Sequence, residues 1–152
     1  MNLNTIFICD TDTVCGLGGP INDNTLKTIF ELKQRPLNKK IMILVGSIEQ
    51  AKQFKEWNNE ATEWAKQYWP GAFSIIVNNQ GFRMPKCSQL CQFLIDNGPM
   101  YVTSANISGY LPIELSEAKK IFPQVKNIYS FNCQKTNQAS AIYHLETKKW
   151  IR

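Results

Sequence analysis

The sequence predicts an α/β domain in which helices flank a twisted, open mixed sheet, and three observations lead to this class. Short apolar segments rich in branched side chains alternate with segments whose apolar residues recur at helical spacing. One pair of apolar segments is joined by a turn-rich tetrad, which is typical of a β-hairpin and adds antiparallel pairing. The chain has 152 residues, of which 43% are hydrophobic and 19% charged, so we expect a single domain over residues 1–152.

The first third of the chain is expected to hold a strand, an irregular segment and a helix. The strand covers residues 5–9, and the segment 10–20 contains three glycines and a proline, which we expect to prevent regular structure. Pro36 disfavours the helical conformation of the residue before it, so the helix is expected to end near that point. Asn24 is placed to cap this helix, in which side chains recur at helical spacing at Leu26, Ile29, Phe30 and Lys33.

The middle of the chain adds a strand and two helices. Residues 40–45 are rich in branched apolar side chains, which predicts a buried strand. Ser47 with Gln50 three residues later is the pattern of a capping box and predicts a helix through residue 57. Another helix is expected at residues 59–68.

A hairpin follows, because the apolar segments 73–77 and 82–84 flank the tetrad 78–81, which is rich in turn-forming residues. Next, Ser88 is expected to cap a helix that Gly98 ends. The remaining elements are a helix at 88–97, a strand at 100–103, a helix at 116–122 and strands at 127–131, 141–145 and 150–152.

The composition argues against a membrane protein or a secreted protein. No apolar run approaches the length of a membrane-spanning helix, and the longest covers residues 41–45. The start of the chain lacks a cationic leader, so we expect a cytoplasmic location. The 17 lysines and arginines exceed the 12 acidic residues and give a net charge of +5, which suits phosphate-bearing ligands such as nucleotides or nucleic acid.

The cysteines are expected to be free thiols that pack as small apolar side chains, because disulfides are rare in a reducing compartment. Two of them are four residues apart, which places them on one face of a helix. A metal site is not expected, since the one histidine, His144, has no second ligand pair beside it. The five cysteines are Cys9, Cys15, Cys87, Cys91 and Cys133.

Polar side chains spaced two residues apart point the same way in extended backbone, and three such pairs follow predicted strands or end a helix. Ligands of open α/β sheets bind outside the carboxyl ends of the strands, so a cation pair there would make an anion site. Taken singly, each pair also has a structural explanation: local hydroxyl-to-backbone bonds, a favourable charge at a helix end, or a loop that satisfies its own backbone. The pairs are Thr11 and Thr13, Lys33 and Arg35, and Ser104 and Asn106.

Five ordered segments together resemble the YrdC-like threonylcarbamoyl-AMP synthase family. They are TDTVCGLG at 11–18, ELKQRP at 31–36, WPG at 69–71, RMP at 83–85 and TSANISG at 103–109. The resemblance extends from about residue 6 to residue 152. It implies a twisted open sheet, similar to that of double-stranded-RNA-binding relatives, around a positively charged concave surface.

The resemblance also implies an activity, a nucleotidyltransferase that joins L-threonine, bicarbonate and ATP into threonylcarbamoyl-adenylate and releases pyrophosphate. Mg²⁺ would be carried with ATP, held by the triphosphate and water. A partner transferase complex, in transient contact, would then move the threonylcarbamoyl group to adenosine 37 of tRNA.

Residue by residue, the resemblance implies which side chains bind each substrate. The catalytic group, which holds the phosphates and the adenylate, is Lys33, Arg35, Ser104 and Asn106. Arg152 is expected to bind ATP, and the threonine site is expected at Thr11, Ser74 and Ser140. Arg83 matches an arginine that is either structural or in contact with phosphate.

The sequence departs from the family pattern at several positions. Cys15 stands where the family has tyrosine or phenylalanine, which implies a smaller wall of the substrate pocket and an altered substrate as one hypothesis. The chain is expected to be a minimal member without the leading helix or a trailing domain. The other departures are Asp10 for proline, Ala72 for proline, Cys87 for histidine, the segment 139–141, and His144 near a usual aspartate.

The expected chemistry requires charge to be neutralised and aligned, because an anionic carbamate must attack the α-phosphorus of another anion. A covalent nucleophile is not needed. The alternative function is a tRNA- or double-stranded-RNA-binding module of the same fold, without synthase activity, since the net charge suits both. We expect a monomer.

Overall fold

The computed structural model describes residues 2–34, 40–107 and 114–152 and has the mixed α/β class that the sequence predicts. The strands are β1 (Phe7–Cys9), β2 (Gly16–Pro20), β3 (Ile43–Leu44), β4 (Phe73–Val77), β5 (Gln80–Arg83), β6 (Met100–Ser104), β7 (Asn127–Tyr129), β8 (Ala141–His144) and β9 (Lys149–Trp150). The helices are α1 (Asp23–Lys33), α2 (Ile48–Ala51), α3 (Asn59–Tyr68), α4 (Ser88–Asn97) and α5 (Leu115–Ile121).

Within the described residues, the strands form one mixed sheet in the order β7-β1-β2-β6-β3-β5-β4-β8-β9. The pairs β1–β7, β3–β5 and β4–β8 are parallel. The other neighbouring pairs are antiparallel. Because the chain crosses back and forth through the sheet, its N-terminal and C-terminal halves both contribute strands to the centre.

The two faces of the sheet are covered unequally. Helices α1 and α5 pack on one half of a face through Ile29, Phe30 and Phe122, and α2 and α3 cover the other half through an aromatic cluster that includes Trp64. On the opposite face, helix α4 contributes Leu90 and Leu94 to the core cluster. That face is therefore covered in part, and the remainder of it forms the wall of a cavity.

The segment 10–20 was expected to be irregular. Residues 10–15 have no regular structure, but the expectation is wrong for residues 16–20, because β2 lies in the sheet between β1 and β6. Glycine is required here by the close approach of backbone: a Cβ at Gly18 would lie 2.4 Å from the carbonyl oxygen of Tyr101. Pro20 ends the strand, beyond the residues of β2 that pair with β1. The missing N–H therefore interrupts no pairing with β1.

Two helix caps differ from their expected positions. Asn22, not Asn24, caps α1 by accepting from the N–H of Thr25 at 2.9 Å. Ser88 is the first residue of α4, and Cys87 occupies the N-cap position without a side-chain cap bond. Both expectations placed a cap on a polar residue that the structure instead puts inside the helix.

The helix predicted from Ser47 through residue 57 is shorter, and α2 ends at Ala51. Ser47 does cap it, but Gln50 accepts from the N–H of Gly46 at 2.7 Å and donates to the carbonyl of Leu94 at 2.8 Å. The side chain of Gln50 thus joins α2 to α4. Turns replace the rest of the helix and bring the indole of Trp57 into the core.

The predicted hairpin is confirmed and is tighter than expected. Val77 pairs with Gln80, so the loop contains two residues, Asn78 and Asn79. Both have positive φ, 49° and 67°, which asparagine tolerates and which matches the twist of the flanking strands. The remaining elements lie within about two residues of their expected ends, apart from β3, which is reduced to two residues.

The expectation of five free thiols is wrong for two of them. Cys87 and Cys133, which are 46 residues apart, form a disulfide with a Cα–Cα distance of 5.4 Å. Cys9, Cys15 and Cys91 are free. The spacing of the cysteines does not indicate this pairing, because it depends on the loop after β7 lying against the start of α4. Among the described residues, no helix is long and apolar enough to cross a membrane.

Candidate active site

A cavity of about 410 Å³ lies on the partly covered face of the sheet. Alternate residues of a strand point to the same face, and the cavity is lined by such pairs from five neighbouring strands or their ends. The pairs are Met42 and Leu44, Ser74 and Ile76, Gly81 and Arg83, Val102 and Ser104, and Ser140 and Ile142.

The cavity brings together five of the side chains that the sequence analysis selected: Thr11, Ser74, Ser104, Ser140 and Arg152. Arg35 was also selected, and it lies outside the described residues. Lys33 and Asn106 lie one layer further in, against Ser104. Residues from segments more than 100 positions apart thus share one site.

The ammonium of Lys33 is at the end of α1, next to the end of β6. Its Nζ donates to the carbonyl oxygen of Ser104 at 2.6 Å and to Asn106 Oδ1 at 3.1 Å. The hydroxyls of Ser104 and Thr103, which line the cavity, are 3.2 and 3.3 Å from the same nitrogen. Lys33 is only 3% exposed, so the folded chain fixes the position of this charge beside the cavity.

Thr11 and Thr13 form a closed turn at the end of β1. The hydroxyl of Thr11 donates to the carbonyl of Val14 and accepts from the N–H of Thr13 at 3.1 Å. The two hydroxyls are 3.2 Å apart, and both residues line the cavity. The structural and the ligand-binding explanations of this pair are therefore compatible, because the turn itself directs the side chains towards the cavity.

The selected residues near the end of the chain form a second hydrogen-bonded group. Ser74 Oγ and Ser140 Oγ are 2.6 Å apart and both are buried. Arg152 donates through Nε to the carbonyl of Ser140 at 2.7 Å. Desolvation lowers the pKa of Arg152 from its usual value.

Arg83 is structural, whatever else it contacts. Its Nη1 donates to both carboxylate oxygens of Asp12, at 2.8 and 3.0 Å, and to the carbonyl of Gly71 at 2.9 Å. Its Nη2 donates to Thr13 Oγ1 at 3.2 Å, and the side chain also lines the cavity. The sequence analysis missed Asp12. The available signal was its position between Thr11 and Thr13, because successive side chains of extended backbone point to opposite sides.

Two departures from the family pattern have structural explanations. Asp10 accepts from the N–H groups of Phe131 and Cys133, at 2.6 and 3.0 Å, and so fixes the loop after β7. Cys15 was expected to form a smaller wall of the substrate pocket, but its thiol donates to the carbonyl of Cys9 within the core. In the described part of the chain it does not line the cavity, because it alternates with Gly16, which does. Burial raises the pKa of Cys15 to about 11.

The apolar half of the cavity was also missed. Ile41, Met42, Ile76 and Val102 line it, next to the amide of Asn79. In the sequence these residues read as core, because the period of two does not tell which face of a strand is left uncovered.

The fold and the cavity define an α/β protein with a cavity on an open sheet face beside a buried ammonium. The Sua5_yciO_yrdC family model, which carries the description "Telomere recombination", matches residues 1–152. The chain belongs to this family.

Relatives in the family differ widely in length. Threonylcarbamoyl-AMP synthase of Hydrogenovibrio crunogenus is 29% identical over 169 residues, which cover 93% of this chain and 87% of that protein. The uncharacterized protein MG259 of Mycoplasma genitalium is 31% identical over 151 residues, 90% of this chain and 32% of that protein. The chain therefore spans about a third of the Mycoplasma relative.

Solved structures share the fold. P. abyssi Sua5 complexed with L-threonine has a TM-score of 0.78 and 27% identity, covering 93% of this chain and 47% of that one. E. coli YciO also has a TM-score of 0.78, at 17% identity, and covers 97% of this chain and 82% of that one. The second likeness is one of fold alone.

Proposed function

We propose that this chain is a threonylcarbamoyl-AMP synthase, which converts L-threonine, bicarbonate and ATP into threonylcarbamoyl-adenylate and pyrophosphate. The observation that carries the proposal is the convergence of Thr11, Ser74, Ser104 and Ser140 on one cavity, with Lys33 Nζ 3.2 Å from Ser104 Oγ. Membership of the family and the names of its relatives support the same activity.

The phosphates of ATP are assigned to the side of the cavity near Lys33. A compact ammonium acts as a point charge, while the hydroxyl of Ser104 and the amide of Asn106 orient it. Arg35 follows this helix in the sequence and supplies a planar fork for two phosphate oxygens. Arg152 would bind the nucleotide from the opposite rim.

L-threonine is assigned to the hydroxyl groups of Thr11, Ser74 and Ser140. The hydroxyls of Ser74 and Ser140 already form one hydrogen bond at 2.6 Å, so a substrate that binds there exchanges hydrogen bonds instead of leaving a buried hydroxyl unsatisfied. This requirement favours a small polar amino acid over an apolar one of similar size.

The proposed reaction is a displacement at phosphorus. The amine of threonine first combines with bicarbonate, with loss of water, to give the N-carboxylate (the carbamate). One oxygen of this N-carboxylate bonds to the α-phosphorus, and the bond from that phosphorus to the bridging oxygen of pyrophosphate breaks. The protein positions the two anions and offsets their repulsion with fixed positive charge, and no covalent enzyme intermediate is required.

Mg²⁺ would accompany ATP. In the described ranges no group of three His, Cys, Asp or Glu side chains could hold a metal ion, and Asp12 is already bonded to Arg83. The ion would therefore be coordinated by phosphate oxygens and water, with hydroxyls of the cavity as further oxygen donors. Its contribution would be to neutralise the charge of the triphosphate.

We further propose that the adenylate is passed to a partner transferase that modifies adenosine 37 of tRNA, and that the chain acts as a cytoplasmic monomer. The anhydride between the carbamate and the phosphate is an activated acyl group, so a consuming acyl-transfer step is expected chemically.

The test incubates the purified chain with labelled ATP, Mg²⁺, bicarbonate and each amino acid in turn, and measures pyrophosphate. Release that depends on both threonine and bicarbonate supports the proposal. The Lys33→Ala variant should lose this release, while Lys66→Ala, which removes an exposed lysine paired with Glu63, should retain it. No release, together with RNA affinity that falls steeply with salt, would replace the synthase with the RNA-binding alternative.

A further inference from the structure

A second cavity of about 410 Å³ lies on the other side of the Asp12–Arg83 ion pair. Its wall includes Asp12, Lys86, Gln89 and Gln134, together with both cysteines of the Cys87–Cys133 disulfide. Arg83 lines the active-site cavity and Asp12 lines this one. The ion pair is therefore part of the partition between the two cavities.

The disulfide joins two segments that both hold the loop 10–13. From the residue before the N-cap of α4, the N–H of Lys86 donates to Asp12 Oδ2 at 2.8 Å. From the loop after β7, Thr136 N–H donates to the carbonyl of Asp12 at 3.0 Å, and Asn137 N–H donates to that of Thr13 at 2.9 Å. The loop after β7 has no regular secondary structure between residues 130 and 140, and its N–H groups at Phe131 and Cys133 donate to the carboxylate of Asp10, so its order is linked to that of the loop 10–13.

We propose that Cys87–Cys133 is a reversible thiol–disulfide exchange site for a low-molecular-weight thiol, and that its redox state sets the order of the loop 10–13. The loop carries Thr11 and Thr13 into the active-site cavity, so the effect on catalysis rests on the proposed function.

The low-molecular-weight thiol is the reductant in this exchange and supplies both electrons. A thiolate attacks Cys133 Sγ, a mixed disulfide forms there, and Cys87 leaves as a thiolate. A second thiolate attacks the outer sulfur of the mixed disulfide, releasing Cys133 and an oxidised thiol dimer, and the protein thiolates take up the two protons. Two electrons pass from the small thiols to the protein.

Cys87 is the better leaving group because of its position. It is the N-cap of a ten-residue helix, and the positive end of the helix dipole favours a thiolate at that position, although the sulfur makes no cap bond in the disulfide. Lys86 beside it adds positive charge to the same wall. Cys91 is a matched control: its thiol donates to the carbonyl of Pro85, and burial raises its pKa, which disfavours the thiolate that would compete.

The experiment uses the full chain purified without reductant. Alkylation and intact mass should find two fewer reactive thiols than after treatment with reduced glutathione, and a transient glutathione adduct should map to Cys133. The Cys91→Ala variant should respond in the same way. A chain that lacks the bond when purified in air, or a bond that glutathione does not open, overturns the proposal.

Amide hydrogen exchange then tests, without relying on activity, whether the redox state of the disulfide affects the order of the loop 10–13. The N–H groups of Thr136 and Asn137 should exchange about tenfold faster in the reduced chain, since their protection requires the loops to stay docked. The double variant Cys87→Ser, Cys133→Ser should behave as the reduced chain under both conditions. Equal exchange rates in the oxidised and reduced chains would refute the coupling.

Pyrophosphate release gives the functional readout. Reduction should raise the KM for threonine roughly three- to tenfold while kcat changes less, as expected for a coupling through a loop. If neither form releases pyrophosphate, the proposed function fails, and the alkylation and exchange results still decide the redox proposal.

Discussion

Among the residues that the structure describes, two guanidinium groups line the cavity proposed as the active site, and the chain holds them in opposite ways. Arg83 is 4% exposed and is bound by the carboxylate of Asp12, a carbonyl and a hydroxyl. Arg152 is exposed, and in the described part of the chain its acceptors are the carbonyl and hydroxyl of Ser140. The carboxylate of Asp12 neutralises the charge of Arg83 within the fold. The charge of Arg152 is accessible to a ligand.

Proximity to a cavity does not by itself make an arginine a ligand-binding group. Both residues are at places where the family resemblance points to an arginine, and the sequence left the role of Arg83 open. The carboxylate partner separates them. Substitutions of the two residues should therefore affect different quantities, stability for Arg83 and substrate binding for Arg152.

The largest effect is expected for Arg83→Met. This change leaves the carboxylate of Asp12 buried without its cation, so the free energy of unfolding should fall by about 3–5 kcal/mol. Denaturant unfolding measures it. The double variant Asp12→Leu, Arg83→Met is the control and should recover most of the loss. A fall below about 1 kcal/mol for the single variant would mean that the pair is not structural.

Arg35→Ala should slow adenylate formation by roughly 10²–10³, if this side chain acts as one preorganised charge-stabilising donor. The rate is measured as threonine-dependent pyrophosphate release at saturating substrates. The midpoint of denaturant unfolding is the control and should stay near that of the parent chain. Normal turnover would remove Arg35 from the site.

Arg152→Ala should raise the KM for ATP by about tenfold, the effect of losing one charged hydrogen bond to an anion. The free energy of unfolding should change by no more than about 0.5 kcal/mol, because the residue is exposed. Arg152→Lys keeps the charge and should recover part of the affinity. Loss of stability with unchanged KM would reverse the assignment of the two arginines.

The smallest effect is expected for Ser74→Ala. The hydroxyl of Ser140 then loses its partner at 2.6 Å, which should cost about 1 kcal/mol of stability. The KM for threonine should rise while the KM for ATP stays the same, as measured by varying each substrate separately. An equal rise of both would place Ser74 outside the threonine site.

The sequence predicted the elements whose signals are local. The α3 helix and the β4 strand have the expected bounds, and the two-asparagine turn marked the hairpin. The strand at residues 16–20 was not predicted, because glycine and proline indicate which backbone conformations are allowed but not which neighbouring strands require them. At Gly18 the neighbour is a carbonyl of β6, more than 80 residues away in the chain.

The residues of the candidate site also fall into two groups, those that local spacing indicates and those that only the structure shows. The residue types and their spacing by two selected Thr11, Ser104 and Asn106, because alternation along extended backbone is a local property. The structure added the partner of Arg83 and the apolar half of the cavity, and it excluded Cys15 from the wall. Each of these depends on which face of a strand is left uncovered.

By itself, the sequence determined the α/β class, most of the helices and strands, and the polar pairs from which the site is built, since each is encoded within a few consecutive residues. The tertiary structure alone decided that Lys33 lies beside Asn106, that Arg83 is neutralised by Asp12, and that Cys87 meets Cys133. These contacts join residues 46 to 73 positions apart, and their formation depends on the order of strands in the sheet. Strand order is set by the packing of the whole chain, which local propensities do not specify.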